Sequence, residues 1–169
     1  DSMGDFFLAE MRGLGVSVDV AAAGEGPTGT CAVLITPDAQ RTMLTNLGVS
    51  ATLTPEDIDE QQLRQADYVY IEGYLLTGET TRAAAYRAME LAGEHGVRVA
   101  LTASDPFLVN LIRDEIWQLI EGPVDMFFCN EEEAMGLTES DNAADSIQAI
   151  HQHVGNVAVT LGANGSILM

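Results

Sequence analysis

The chain has 169 residues, 47% of them hydrophobic, which suits one domain with a packed core and is too apolar for a disordered segment. Its 26 acidic residues against 7 basic ones give a formal charge of −19, arguing against nucleic acid and anionic membranes as partners. No apolar run reaches the roughly 18 residues of a membrane span, and no basic-then-apolar leader occurs, so the expected setting is soluble and cytoplasmic.

The opening "DSMGDFFLAEMRGLGV" predicts a helix ending at Gly13–Gly15. Residues 29–48, "GTCAVLITPDAQRTMLTNLG", give two strand-like runs around the turn "PDAQ", a hairpin pattern. It reads either as a flap over a ligand site, with Val33 and Ile35 covering the site, or as an edge extension of the sheet. From Asp67 onward, strands and helices alternate regularly. "DYVYIEG" (67–73), "VRVALTA" (97–103) and "VDMFFC" (124–129) read as strands. The helix between the first two stops at Gly96; the next is capped by Asp105, with Pro106 at its first position. Trp117 on that helix reads as core. Two more helices, residues 131–137 and 142–155, precede "NVAVTLG" and "SILM". Parallel crossover units follow, so the fold class is α/β, a three-layer sandwich with a mostly parallel sheet.

Cys31 and Cys129 sit inside apolar runs and read as two buried thiols rather than a disulfide or a metal pair. His151 and His153 are two apart on an expected helix, so they do not share a face and make a poor metal site.

"FFCNEEEA" (127–134) places three glutamates at a helix start. Asn130 with Glu133 three residues later fits a capping box, which alone accounts for the pattern. The same residues also stand at a strand's carboxyl end meeting a helix N-terminus, where open parallel sheets collect ligands. "VAVTLGANG" (157–165) ends a second strand at Thr160 with a loop containing Gly162 and Gly165. It suits an anion-contacting loop or a bare glycine turn. Glu72 and Asp105 end or follow two further strands on that edge, so four strands deliver polar groups to one rim.

Taken together, "PTGTCAVLITPDAQRTMLTNLG", "YVYIEGYLL", "NEEEA" and "TLGANG" resemble, in order and over essentially all of the chain, the ribokinase-like (PfkB) carbohydrate kinases. The similarity is greatest to the adenosine-kinase-like sugar kinases. The resemblance implies one partial ribokinase-like domain over 1–169, with a small β lid at about 16–48. It implies transfer of a phosphoryl group from ATP to a hydroxymethyl group of a sugar or nucleoside, the alternative being a module that binds nucleotide or sugar without chemistry. The implied cofactors are ATP and Mg2+. Asn130, Thr160, Leu161, Gly162, Ala163, Asn164 and Gly165 would contact nucleotide, Glu133 would act on magnesium through water, and Glu72 and Arg41 would face the substrate. A homodimer through the lid strands is a further implication. The family's Gly-Ala-Gly-Asp motif, with its catalytic aspartate, does not occur in the chain, and neither does the glycine-pair segment that precedes the first helix. The expectation is therefore a central fragment without its catalytic base.

Overall fold

In the computed structural model, the described residues are 1–18 and 25–169. Residues 19–24, within the segment read as the lid, lie outside them. The chain forms two compact units, Asp1–Leu53 and Thr54–Met169.

In the first unit, α1 (Ser2–Gly13) starts at Asp1, whose carboxylate accepts the Gly4 N–H. That carboxylate also accepts the Thr28 N–H and hydroxyl at 2.9 and 2.7 Å, tying the helix start to the entry of the hairpin. Strands β1 (Thr30–Ile35) and β2 (Arg41–Asn46) pair antiparallel in a sheet of their own, from Thr30 opposite Asn46 to Ile35 opposite Arg41. Every hairpin residue is exposed, Val33 and Ile35 among them, so these side chains fill no core. Cys31 is exposed as well, contrary to expectation; its Sγ lies 3.3 Å from the Thr45 hydroxyl. A two-stranded ribbon has no layer of its own to bury either face, so an apolar run in it does not imply burial.

The second unit opens with a 3-10 turn, Pro55–Asp57, and a short helix, α2 (Glu60–Leu63), and then builds a five-stranded sheet. Its strands are β3 (Tyr68–Glu72), β4 (Arg98–Thr102), β5 (Met126–Asn130), β6 (Asn156–Thr160) and β7 (Ser166–Leu168). They lie side by side in that order, the first four parallel and β7 antiparallel to β6. The connections are α3 (Glu79–His95), α4 (Pro106–Ile120), and α5 (Glu131–Thr138) with α6 (Ala143–His151). The expected α/β fold with a mostly parallel sheet is what forms.

Neighbouring parallel strands joined by crossovers of one hand put their helices on one face. The core follows that rule. Ile71, Leu101, Phe127 and Val157 form one row across β3–β6. They pack in one buried cluster with Ala88 and Leu91 of α3, Ile116 of α4, Leu137 of α5 and Ile150 of α6. Burying a side chain such as Phe127, fully inaccessible here, contributes about 1.5–3 kcal/mol. On the other face, Tyr70 stays exposed and meets Phe128 edge-on at 6.0 Å. Trp117 packs against the core and satisfies its indole N–H on the Leu137 carbonyl at 3.0 Å. α6 stops at His151, so His153 lies in the following turn, its ring against Trp117. No described helix is long and apolar enough to cross a membrane.

Candidate functional site

The two motifs meet because β5 and β6 are neighbours in register. Asn130, the last residue of β5, pairs with Thr160, the last of β6. Beside them Thr102 ends β4 opposite Glu72 and Phe128. All four strands therefore end on one edge, where strand carboxyl ends face helix starts. An open cleft of about 230 Å³ lies there, lined by Thr102, Ser104, Asn130, Glu133 and Thr160, with Phe128, Cys129 and Ala158.

Asn130 caps α5 in full. Its Oδ1 accepts the Glu133 N–H at 2.8 Å, while the Glu133 carboxylate accepts the Asn130 backbone N–H at 2.8 Å and its amide Nδ2–H at 2.9 Å. The capping box is real. It does not exhaust Glu133, which is only 5% exposed and lines the cleft, whereas Glu131 and Glu132 face solvent. Burial pushes the Glu133 carboxyl above its usual range; the Asn130 N–H pulls it down, and the charges of Asp105 and Glu132 push it up again. A carboxylate held this way gains from a nearby cation. Cys129, behind it, is buried, and its thiol is pushed up to about 12, so it is no nucleophile.

The loop after β6 is a tight connection into β7. A single 3-10 turn spans Gly162–Asn164, and the Leu161 N–H donates to the Gly165 carbonyl at 2.8 Å. Gly162 and Gly165 have φ of +57° and +90°, and open space surrounds the place of a Cβ at each. Backbone conformation, not crowding, is what calls for glycine there. Thr160 reaches the cleft lining; Leu161 is half-buried against the core; Gly162, Ala163, Asn164 and Gly165 are exposed beyond the lining. Arg41 belongs to the hairpin unit, exposed at the start of β2.

Glu72 closes the other end of the rim. Its Oε2 accepts a hydrogen bond from the Ser104 hydroxyl at 3.0 Å, and the same hydroxyl accepts the Gly73 N–H at 2.9 Å. Ser104 holds φ +71°, the left-handed region, which costs a residue with a side chain roughly 1–3 kcal/mol. Asp105 caps α4 by accepting the Phe107 N–H at 2.7 Å and takes the Tyr74 hydroxyl at 3.3 Å. The Tyr74 phenol is pushed above its usual value by burial, then by Asp105, Glu133 and Glu72. Thr102, Ser104 and Tyr74 escaped the sequence reading. The "TASDP" string signals a cap at Asp105, but a left-handed serine leaves no mark in composition or periodicity.

Among the described residues, no group of three or more His, Cys, Asp and Glu is arranged to bind a metal directly. Magnesium usually keeps several waters and takes only one or two protein carboxylates. Glu133 has both oxygens engaged on Asn130, but each carboxylate oxygen has a second acceptor site. The donor set thus fits a hydrated magnesium held through water.

In open parallel α/β sheets, ligands collect at the carboxyl ends of the strands, where this cleft lies. The profile of the pfkB family of carbohydrate kinases matches residues 1–169. The chain belongs to that family. The crystal structure of adenosine kinase from Sinorhizobium meliloti superposes with a TM-score of 0.94 at 32% identity, over 100% of this chain and 52% of that one. An ATP-dependent ribose-1-phosphate kinase from Halopiger xanaduensis is 28% identical over 98% of this chain and 52% of its own length. An uncharacterized sugar kinase from Archaeoglobus fulgidus is 23% identical over 98% of this chain and 64% of its own length. The chain thus spans between about half and two thirds of the length of these relatives.

Proposed function

We propose that the protein carrying this chain transfers the γ-phosphoryl group of ATP to a hydroxymethyl group of a sugar or nucleoside, in the cleft at the carboxyl edge of β5 and β6. The observation that carries the reading is the pairing of Asn130 with Thr160, which joins the two motif segments at one cleft in a chain of the kinase family. The relatives' names, adenosine kinase and ribose-1-phosphate kinase, indicate the acceptor class.

In this reading Asn130 and Thr160 lie by the phosphates, and the loop Leu161–Gly165 contacts the rest of the nucleotide. Its positive-φ glycines allow a ligand to approach the backbone closely. Glu133 holds hydrated magnesium through water; the ion, when bound, neutralises charge on the phosphate oxygens. Glu72 accepts from acceptor hydroxyls. The work of these residues is placement and charge compensation, the larger part of phosphoryl-transfer catalysis. The unit 54–169 carries several acidic groups on its rim, so polyanionic ATP enters with its cation rather than alone. No residue of the chain is assigned as the base, since no Gly-Ala-Gly-Asp occurs in it, and the 169-residue piece alone is expected not to turn over.

The test is ADP release by the full-length protein with ATP and magnesium, across a panel of adenosine, D-ribose and ribose 1-phosphate. Acceptor-dependent ADP release supports the reading. Nucleotide or acceptor binding without turnover favours a binding module instead.

A further inference from the structure

We propose that Ser104 is a positioning residue that orients Glu72 and thereby sets the recognition of acceptor hydroxyls; this rests on the reading of Glu72 as an acceptor contact. Three observations lead there. First, Ser104 keeps a side chain at φ +71°, where glycine would be unstrained. Strain of this kind, held at a cleft, motivates a functional hypothesis. Second, the hydroxyl both donates and accepts: its one proton goes to Glu72 Oε2 at 3.0 Å, and one of its lone pairs accepts the Gly73 N–H at 2.9 Å. A hydroxyl with both roles filled has a fixed rotor, so it fixes the carboxylate it donates to.

Third, the platform beneath is tight. A Cβ on Gly73 would lie 2.7 Å from the Ala103 carbonyl oxygen and 2.8 Å from that of Thr102. The exits of β3 and β4 therefore pass in backbone contact, and Ser104 bridges them while also lining the cleft with Asn130 and Glu133. The bond ties Glu72, which stands at an exposed strand end beside the Tyr70 phenol, to the exit of β4 and so narrows its rotamer freedom. A carboxylate accommodates about four hydrogen bonds, so the serine aims Glu72 without using it up.

The experiment measures initial rates of the full-length protein with the acceptor that turns over in the panel above, varying acceptor and ATP separately. Ser104→Ala, Ser104→Gly, Glu72→Gln and the double variant Ser104→Ala/Glu72→Gln are compared with wild type. Both serine variants should raise the acceptor KM about tenfold, the loss of one hydrogen bond to a charged group. The ATP KM and kcat should stay within about twofold, and the double variant should be no worse than Glu72→Gln alone. Ser104→Gly relieves the backbone and also loses the hydroxyl, so a wild-type KM in that variant would overturn the proposal, as would additive losses in the double variant. Equal changes in the ATP and acceptor constants would likewise assign Ser104 a purely structural role. Should Ser104→Ala fail to fold, Ser104→Gly carries the test. If Glu72→Gln itself leaves the acceptor KM unchanged, the Glu72 reading fails first; if it raises KM and the serine variants do not, only the role of Ser104 is refuted.

Discussion

Replacing Glu133 by glutamine separates a magnesium-holding carboxylate from a plain helix cap. In the structure both oxygens of Glu133 accept hydrogens from Asn130, one from the backbone N–H at 2.8 Å and one from Nδ2 at 2.9 Å. Glutamine keeps a carbonyl oxygen for the backbone N–H, as capping boxes allow. Its amide nitrogen then faces the Asn130 Nδ2, a donor against a donor, so one charge-assisted bond worth about 1.5–3 kcal/mol is lost. Against this, the substitution removes a charge from a site where burial already disfavours it. The two terms oppose each other, and the net stability change should be about 1 kcal/mol or less. The effect on rate has no such offset. Losing a carboxylate that holds a metal through its shell costs about 10- to 100-fold in metal affinity or activity. The assay pairs a thermal melt with kcat measured against magnesium concentration in the full-length protein. A fall in kcat of that size, partly recovered by excess magnesium and with the melt nearly unmoved, is the expected result. Unchanged kinetics would refute the metal role and leave Glu133 as a cap.

The same carboxyl makes a pH prediction. Its folded pKa lies above the ordinary 4.5, so as pH falls the native state takes up this proton before the unfolded state does. This group's contribution therefore makes stability fall as pH rises through that window, and Glu133→Gln should flatten the profile there; identical wild-type and variant profiles would count against it. Alkylation should discriminate the thiols: iodoacetamide at about pH 8 should label exposed Cys31 and spare buried Cys129, giving one adduct by intact mass, whereas two adducts on folded protein would contradict the core described. Gly73→Ala should destabilise by about 1–3 kcal/mol, because its Cβ would press on two backbone oxygens that cannot rotate away, and a melt within experimental scatter of wild type would show the crossing to be looser than it is here.

Where the sequence was readable, it was readable for a reason. The helix 79–95 carries a helical periodicity because it buries one face, the run "VRVALT" is apolar because β4 is buried over Val99–Leu101, and both stand within a few residues of the expected places. The capping box at Asn130 was legible because a cap is a local rule acting over three residues. That it shares a rim with Thr160 was legible from the alternation of strands and helices, since parallel strands bring their carboxyl ends to one edge; the direct pairing of the two residues comes from the strand order and register of the structure. Cys31 shows the limit: an apolar strand declares itself, but whether anything packs on it depends on a layer that local pattern does not name. Ser104 shows another. Its left-handed φ and its bond to Glu72, 32 positions away in sequence, follow from how two strand exits meet, and neither residue's immediate neighbours encode that meeting.

The central claim is that phosphoryl transfer takes place at the carboxyl edge of β5 and β6. The most direct measurement is a crystal structure of the full-length protein with a non-hydrolysable ATP analogue and magnesium. The phosphates should lie beside Asn130 and Thr160, with the ion linked to Glu133 through water. An analogue bound elsewhere, with the Asn130–Glu133 pair left as it stands here, would contradict it.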